Sequence, residues 1–228
     1  MSQTVFIAGG TGYMGRSLIP ALVERGHSVY AVVRAGSERK LAPGCTAVPG
    51  DVLDGSTYSR SIPPDATFVQ LVGAPHPSPS KAAQFRAVDL VSAQAAVAAA
   101  QAAGVRHFVY VSVAHPAPAM KAYIQVREEC EELIGRSGMN ATILRPWYVL
   151  GPGHLWPYLL VPGYWLCERL PATRDGALRL GLVTLQQMVH ALVASIESPA
   201  SGIRIVDVPA IRATSLQRVT EPMLESQT

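Results

Sequence analysis

Residues 4–15 read TVFIAGGTGYMG. An apolar run, Val5 to Ala8, breaks into Gly9-Gly10-Thr11-Gly12, and Gly15 follows one turn into a new segment. That order is a buried strand, a glycine turn and a helix start. Gly9 lets the chain leave the strand sharply, Gly12 leaves bare backbone for a pyrophosphate, and Gly15 permits close helix–strand packing. A helix N-terminus adds free N–H groups and partial positive charge. The stretch therefore reads as a dinucleotide cradle made of Gly9, Thr11, Gly12, Tyr13, Met14 and Gly15. Without its flanks it is only a turn, because glycine is common in loops.

The flanks supply the context. Met14, Leu18, Ala21 and Leu22 fall at helical spacing, and Gly26 is placed to end that helix. Strand signals then recur at Ser28 to Val33, Cys45 to Val48, Thr67 to Val72, Val105 to Val113 and Thr142 to Leu144. Between them, an alanine-rich helix is expected from about Lys81 to Ala103, stopping at Gly104, and another from about Met120 to Arg136. A last helix, about Leu185 to Glu197, and a short strand, Ile203 to Val206, follow a segment rich in Pro, Gly and Trp. Residues 215–228 are polar and are expected to fray. Alternation of this kind predicts an α/β fold, a doubly wound parallel sheet with helices on both faces and a small C-terminal cap.

Composition narrows the class. The 228 residues suit one domain, residues 1–228, with a substrate or cap region at about 147–185. The net charge of +3 is scattered, with no basic run interleaved with aromatics, which argues against nucleic acid. No secretory signal and no transmembrane segment are read; the greasy stretch Leu155 to Cys167 is broken by Pro157, Pro162 and Gly163. Three scattered cysteines, Cys45, Cys130 and Cys167, form neither a metal spacing nor a disulfide framework, so a cytoplasmic protein without a metal is expected.

Taken together, GGTGYMG, Arg34 after the second strand, Gly50-Asp51-Val52 after the third, VYVSV in the fifth and NATILRPWYVLGPG around the sixth resemble the short-chain dehydrogenase/reductase superfamily. The chain is most similar to its atypical NAD(P)-binding branch, with NmrA-like and complex-I-accessory-like members. The resemblance runs from Thr4 to about Val208 and implies a Rossmann-like fold. It also implies that Asp51 and Val52 contact the adenine, and that Val72 and Gly73 pass beside the cofactor ribose. Asp51 read alone is equally a cap for a short helix near Asp54 to Arg60. An NAD site places Asp or Glu after the second strand; this chain has Arg34, which can fork onto the 2′-phosphate of NADP, assisted by Arg16, Arg39 or Lys40. NADP is therefore expected, with NAD as the second choice. The plain alternative for Arg34 is a solvated charge.

Enzymes of the superfamily use a serine, a tyrosine and a lysine four residues after the tyrosine. Here Tyr123 and Arg127 share that spacing on one helical face, with arginine in place of lysine. Ser112 falls where the first serine would lie, and Ala114 stands where the catalytic hydroxyl is usual. Ser112 is alternatively a residue that bonds backbone at the strand end. His115 and His76 are further polar candidates, each more simply a solvated loop histidine. Two functions follow: an NADP-dependent oxidoreductase or isomerase acting on a small apolar carbonyl compound, or a dinucleotide-binding sensor or assembly subunit with little turnover. The segment Trp147 to Leu170 holds Trp147, Trp156 and Trp165 with several Tyr and Leu. It is expected to line an apolar pocket near Tyr123 and Val149; ordinary packing and an exposed partner or membrane patch are the alternatives.

Overall fold

A computed structural model describes residues 2–75, 77–152, 161–171 and 173–216. The chain begins β1 (Thr4–Ala8), α1 (Gly15–Val23), β2 (Ser28–Val33), β3 (Cys45–Pro49) and β4 (Thr67–Gln70). It continues through α2 (Ala82–Gln84), a π-helical stretch (Phe85–Leu90), α3 (Val91–Ala103), β5 (His107–Val111), α4 (Lys121–Arg136) and β6 (Ala141–Leu144). After these come β7 (Tyr148–Leu150), α5 (Val161–Cys167), α6 (Arg174–Arg179), β8 (Leu182–Thr184), α7 (Leu185–Glu197), β9 (Ile203–Val206) and α8 (Val208–Leu216).

Seven strands form a parallel sheet in the order β3-β2-β1-β4-β5-β6-β9. Alternation along each strand sorts side chains onto two cores. Phe6, Phe68, Phe108 and Tyr110 face a layer with Phe85, Val126, Cys130 and Ile134. Val5, Ile7, Val69 and Val109 face Leu18, Ile19 and Leu22 of α1 and Met188, Leu192 and Ile196 of α7. Both faces are covered, so the strands read as continuous apolar runs. Phe68 and Phe108 stack with centroids 5.3 Å apart, a contact worth about 1 kcal/mol beyond burial. Chain order reverses between β1 and β4, and the crevice outside their carboxyl ends is the ligand position of such sheets.

Three departures from the sequence reading have physical reasons. The helix expected from Lys81 to Ala103 contains the π-helical stretch, which carries both Phe85 and Asp89 into the interior. The turn after β3 is capped by Asp54, whose Oδ1 accepts from Ser56 N–H at 3.0 Å; Asp51 Oδ1 accepts from Leu53 N–H instead. Finally, Tyr148–Leu150, where no strand was expected, is a short strand paired in parallel with β8. Thr184 then opens α7 with a capping box to Gln187.

Candidate functional site

Backbone shapes the cleft beside β1. Gly9 has φ +94, which an L side chain rarely adopts, and turns the chain under the end of β4 at Leu71 and Val72. Gly12 N–H donates to Gly9 O at 3.0 Å, and a Cβ on Gly12 would meet only that oxygen, at 3.2 Å. The outer side of Gly12 is therefore open. Gly15 is the reverse: a Cβ there would collide with Gly9 O and the Gly10 backbone, so α1 packs against the turn itself. Arg16 folds its Nε–H onto Thr11 O at 2.8 Å, placing a cation at this N-terminus. Met14 is the residue preceding α1, and Tyr13 packs its hydroxyl against Gly151, where a side chain would collide. The glycine turn thus meets the chain just past β7.

Around this turn lie the other cofactor candidates. Arg34 is exposed one residue beyond β2 and forms no salt bridge among the described residues. Asp51 is exposed, and Val52 and Val72 pack half-buried on the aromatic core. Gly73 needs its missing side chain for a reason the sequence did not suggest. A Cβ there would strike the Arg127 guanidinium and come within 3.2 Å of Asp89 Oδ1.

Arg127 sits in a closed network. Its Nη2 donates to Asp89 Oδ1 at 2.5 Å, and its Nη1 donates to Tyr110 Oη at 3.0 Å and Val111 O at 2.9 Å. Asp89 Oδ2 accepts from Ala74 N–H at 2.9 Å. The guanidinium carbon lies 5.1 Å from the Tyr123 ring centroid and 5.6 Å from that of Tyr110. Arg127 Nε is buried with no hydrogen-bond partner among the described residues. Burial pushes both phenols upward, Tyr110 well above its ordinary value, although Arg127 pulls them back. Burial likewise raises the Asp89 carboxyl, opposed by Arg127 and by the Ala74 amide. Arg127 stays charged, held by the two phenols and Asp89 against desolvation.

Ser112 belongs to a second group. Its hydroxyl donates to Glu131 Oε1 at 2.5 Å, neither to backbone nor toward Tyr123. Arg145, after β6, holds the same carboxylate by Nε at 3.1 Å and by Nη2. His115 lies between Glu128 at 3.1 Å and Glu131 at 3.5 Å, so it is not a solvated loop histidine. The structure therefore brings Tyr123 and Arg127 together and leaves Ser112 with another carboxylate. His76, Trp156 and residues 153–160 lie outside the described residues. Trp147 packs half-buried on the second core, edge-on to Tyr148, whereas Trp165 is 57 % exposed on α5.

Asp89, Tyr110, Glu131 and Arg145 escaped the sequence reading. One signal was available: Asp89 is the only acidic residue between Lys81 and Ala103 in an alanine-rich helix. A lone carboxylate on such a helix calls for a buried cation.

An open glycine turn at the reversal point of a parallel sheet defines a dinucleotide-binding α/β protein. A family model described as NAD(P)H-binding matches residues 9–152, and the chain belongs to that family. It is 28 % identical over 233 residues to a 3-diazoavenalumate denitrifying reductase of Streptomyces sp., covering 87 % of this chain and 73 % of that protein. It is also 28 % identical over 146 residues to the photosystem II assembly factor Ycf39 of Synechocystis sp., covering 62 % of this chain but only 43 % of that protein. Among solved structures, Bordetella bronchiseptica WbmH in complex with NAD+ aligns with a TM-score of 0.67 at 21 % identity, over 99 % of this chain and 84 % of WbmH. At that identity the likeness establishes the fold.

Proposed function

We propose that this chain binds NADP(H) in preference to NAD(H), and that Arg127 is a structural cation rather than a stand-in for the ribose-holding lysine. The observation that carries the cofactor choice is Arg34, exposed and without a salt bridge among the described residues, at the position where an NAD site needs a carboxylate. Gly9, Thr11, Gly12, Tyr13, Met14 and Gly15 take the pyrophosphate, Asp51 and Val52 the adenine side, and Val72 and Gly73 the ribose side. The cofactor end meets the cap region, residues 147–185, through Tyr13 and Gly151, so a small apolar substrate enters beside Trp147, Tyr148 and Val149. The free thiols support a place in the cytoplasm.

Two readings of turnover divide on Tyr123. The reductases among the relatives favour an oxidoreductase or isomerase on an apolar carbonyl compound, with Tyr123 as acid and Ser112 remote from it. The closure of Arg127 on Asp89, Tyr110 and Val111 favours a sensor or assembly subunit, since no lysine lowers the Tyr123 pKa and burial raises it. Calorimetric titration with NADPH, paired with NADPH oxidation over a panel of ketones, separates them. Stoichiometric binding with slow or no oxidation is the expected result. Fast oxidation abolished by Tyr123→Phe would establish the ordinary route.

A further inference from the structure

Trp165, Leu166 and Leu170 are the three most exposed large apolar side chains among the described residues, at 57, 53 and 47 %. Dinucleotide binding gives them no role. With Arg169 they occupy positions i, i+1, i+4 and i+5 on α5 and the turn after it, so they share one side. The Arg169 guanidinium lies 3.6 Å from the Trp165 ring centroid, and its Nη1 donates to Trp165 O at 3.1 Å. Arg174 and Arg179 stand exposed at the two ends of the next helix. Of the nearby carboxylates, Glu168 is held by Arg212 at 2.9 Å, which leaves Asp175. None of Arg169, Arg174 and Arg179 forms a salt bridge among the described residues.

Single exposed leucines are ordinary, but a contiguous tryptophan-leucine patch marks a contact surface. Its cations select the partner. A tryptophan ring under a guanidinium, beside leucines and flanked by further arginines, matches the boundary between acyl chains and negatively charged headgroups. Two copies of this chain meeting through the same patch would oppose arginine to arginine, which disfavours self-association. We propose that α5 and the turn after it dock this protein peripherally on an anionic lipid surface. No helix among the described residues is long and apolar enough to cross a membrane, so the contact is one of surface attachment.

Co-sedimentation of the full chain with phosphatidylcholine vesicles, with and without phosphatidylserine, tests this. Binding to the phosphatidylserine vesicles, weakened by added salt, is expected. Trp165→Ser combined with Leu166→Ser should lower it by about tenfold or more, by removing buried apolar area. Arg169→Gln and Arg174→Gln should each lower it about fivefold. NADPH affinity and circular dichroism of the same variants check that the fold is intact. Equal binding to both vesicle types, no binding by the parent, or binding indifferent to these substitutions would overturn the proposal. So would sedimentation velocity showing a dimer, without vesicle binding, that Trp165→Ser dissociates; the patch would then belong to a second copy.

Discussion

Around the glycine turn, backbone is left open; around Arg127, side chains close on one another. Gly12 presents bare main chain, and Arg34 stands without a salt bridge among the described residues at the end of β2. Arg127 gives three hydrogen bonds to Asp89, Tyr110 and Val111. Both regions sit at the carboxyl ends of the sheet, yet at Arg127 both terminal nitrogens are already committed, and only the buried Nε lacks a partner among the described residues. Polar groups left unsatisfied at the rim of a cleft are available to a ligand, whereas a guanidinium whose two terminal nitrogens already donate to buried acceptors is committed to the protein. On the proposed reading, the spacing Tyr-x-x-x-Arg keeps the geometry of a catalytic pair while its cation serves the fold.

Substitution of Arg127 should give the largest effect. Arg127→Ala leaves Asp89 buried without its cation, and unfolding in urea should show a loss of about 3–5 kcal/mol. Asp89→Asn combined with Arg127→Met should recover much of it, because no charge is stranded and Asn can still accept from Ala74. No recovery would mean the pair is more than a counter-ion arrangement.

The second effect concerns the opposite end of the sheet. His107 Nε2 lies 3.0 Å from Thr142 Oγ1 and accepts from Ala200 N–H at 3.3 Å, and burial, with Arg204 and Arg106, lowers its pKa to about 4. Above its ordinary value of 6.5 the ring is neutral both folded and unfolded. As pH falls from 6.5 toward 4 only the unfolded chain takes the proton, so stability should drop by on the order of 3 kcal/mol. His107→Gln should flatten that part of a Tm-against-pH profile. An unchanged slope would place the acid sensitivity elsewhere, with the Asp89–Arg127 network the next group to examine.

On the open side, Gly12→Val should lower NADPH affinity by about a hundredfold through contact with the pyrophosphate, while Tm changes little. A matching fall in Tm would show that Gly12, like Gly15, is there for packing. The smallest effect is specificity: Arg34→Ala should reduce the preference for NADPH over NADH by roughly tenfold, the loss of one or two charge-assisted hydrogen bonds. Calorimetry with both dinucleotides reads it directly, and an unaltered ratio would assign the 2′-phosphate to Arg16 or Arg39.

The fold was legible because its signals are local. Runs such as FIA and FVYV, broken by glycine and proline, mark strands without reference to anything distant, and Gly104 takes a left-handed φ of +64 at the helix end where it was expected. The dinucleotide cradle was legible for the same reason. Arg127 was not, since its partners stand 38 residues away at Asp89 and 17 away at Tyr110. Its meaning depends on the π-helical stretch that turns Asp89 inward, and nothing in the helical period announces that extra residue. Gly73 shows the same limit: the glycine was noticed, but the group filling its space comes from a helix far along the chain. Ser112 reads in the sequence as a candidate for the superfamily's serine or as a strand-end hydroxyl, whereas its partner, Glu131, stands 19 residues away.

The most direct test of Arg127 as a structural cation is the NADPH dissociation constant of the Asp89→Asn, Arg127→Met variant, measured by calorimetry beside the parent. If Arg127 holds the fold and not the ribose, the folded double variant binds NADPH as the parent does. A folded double variant that no longer binds NADPH would contradict it and return Arg127 to the cofactor site.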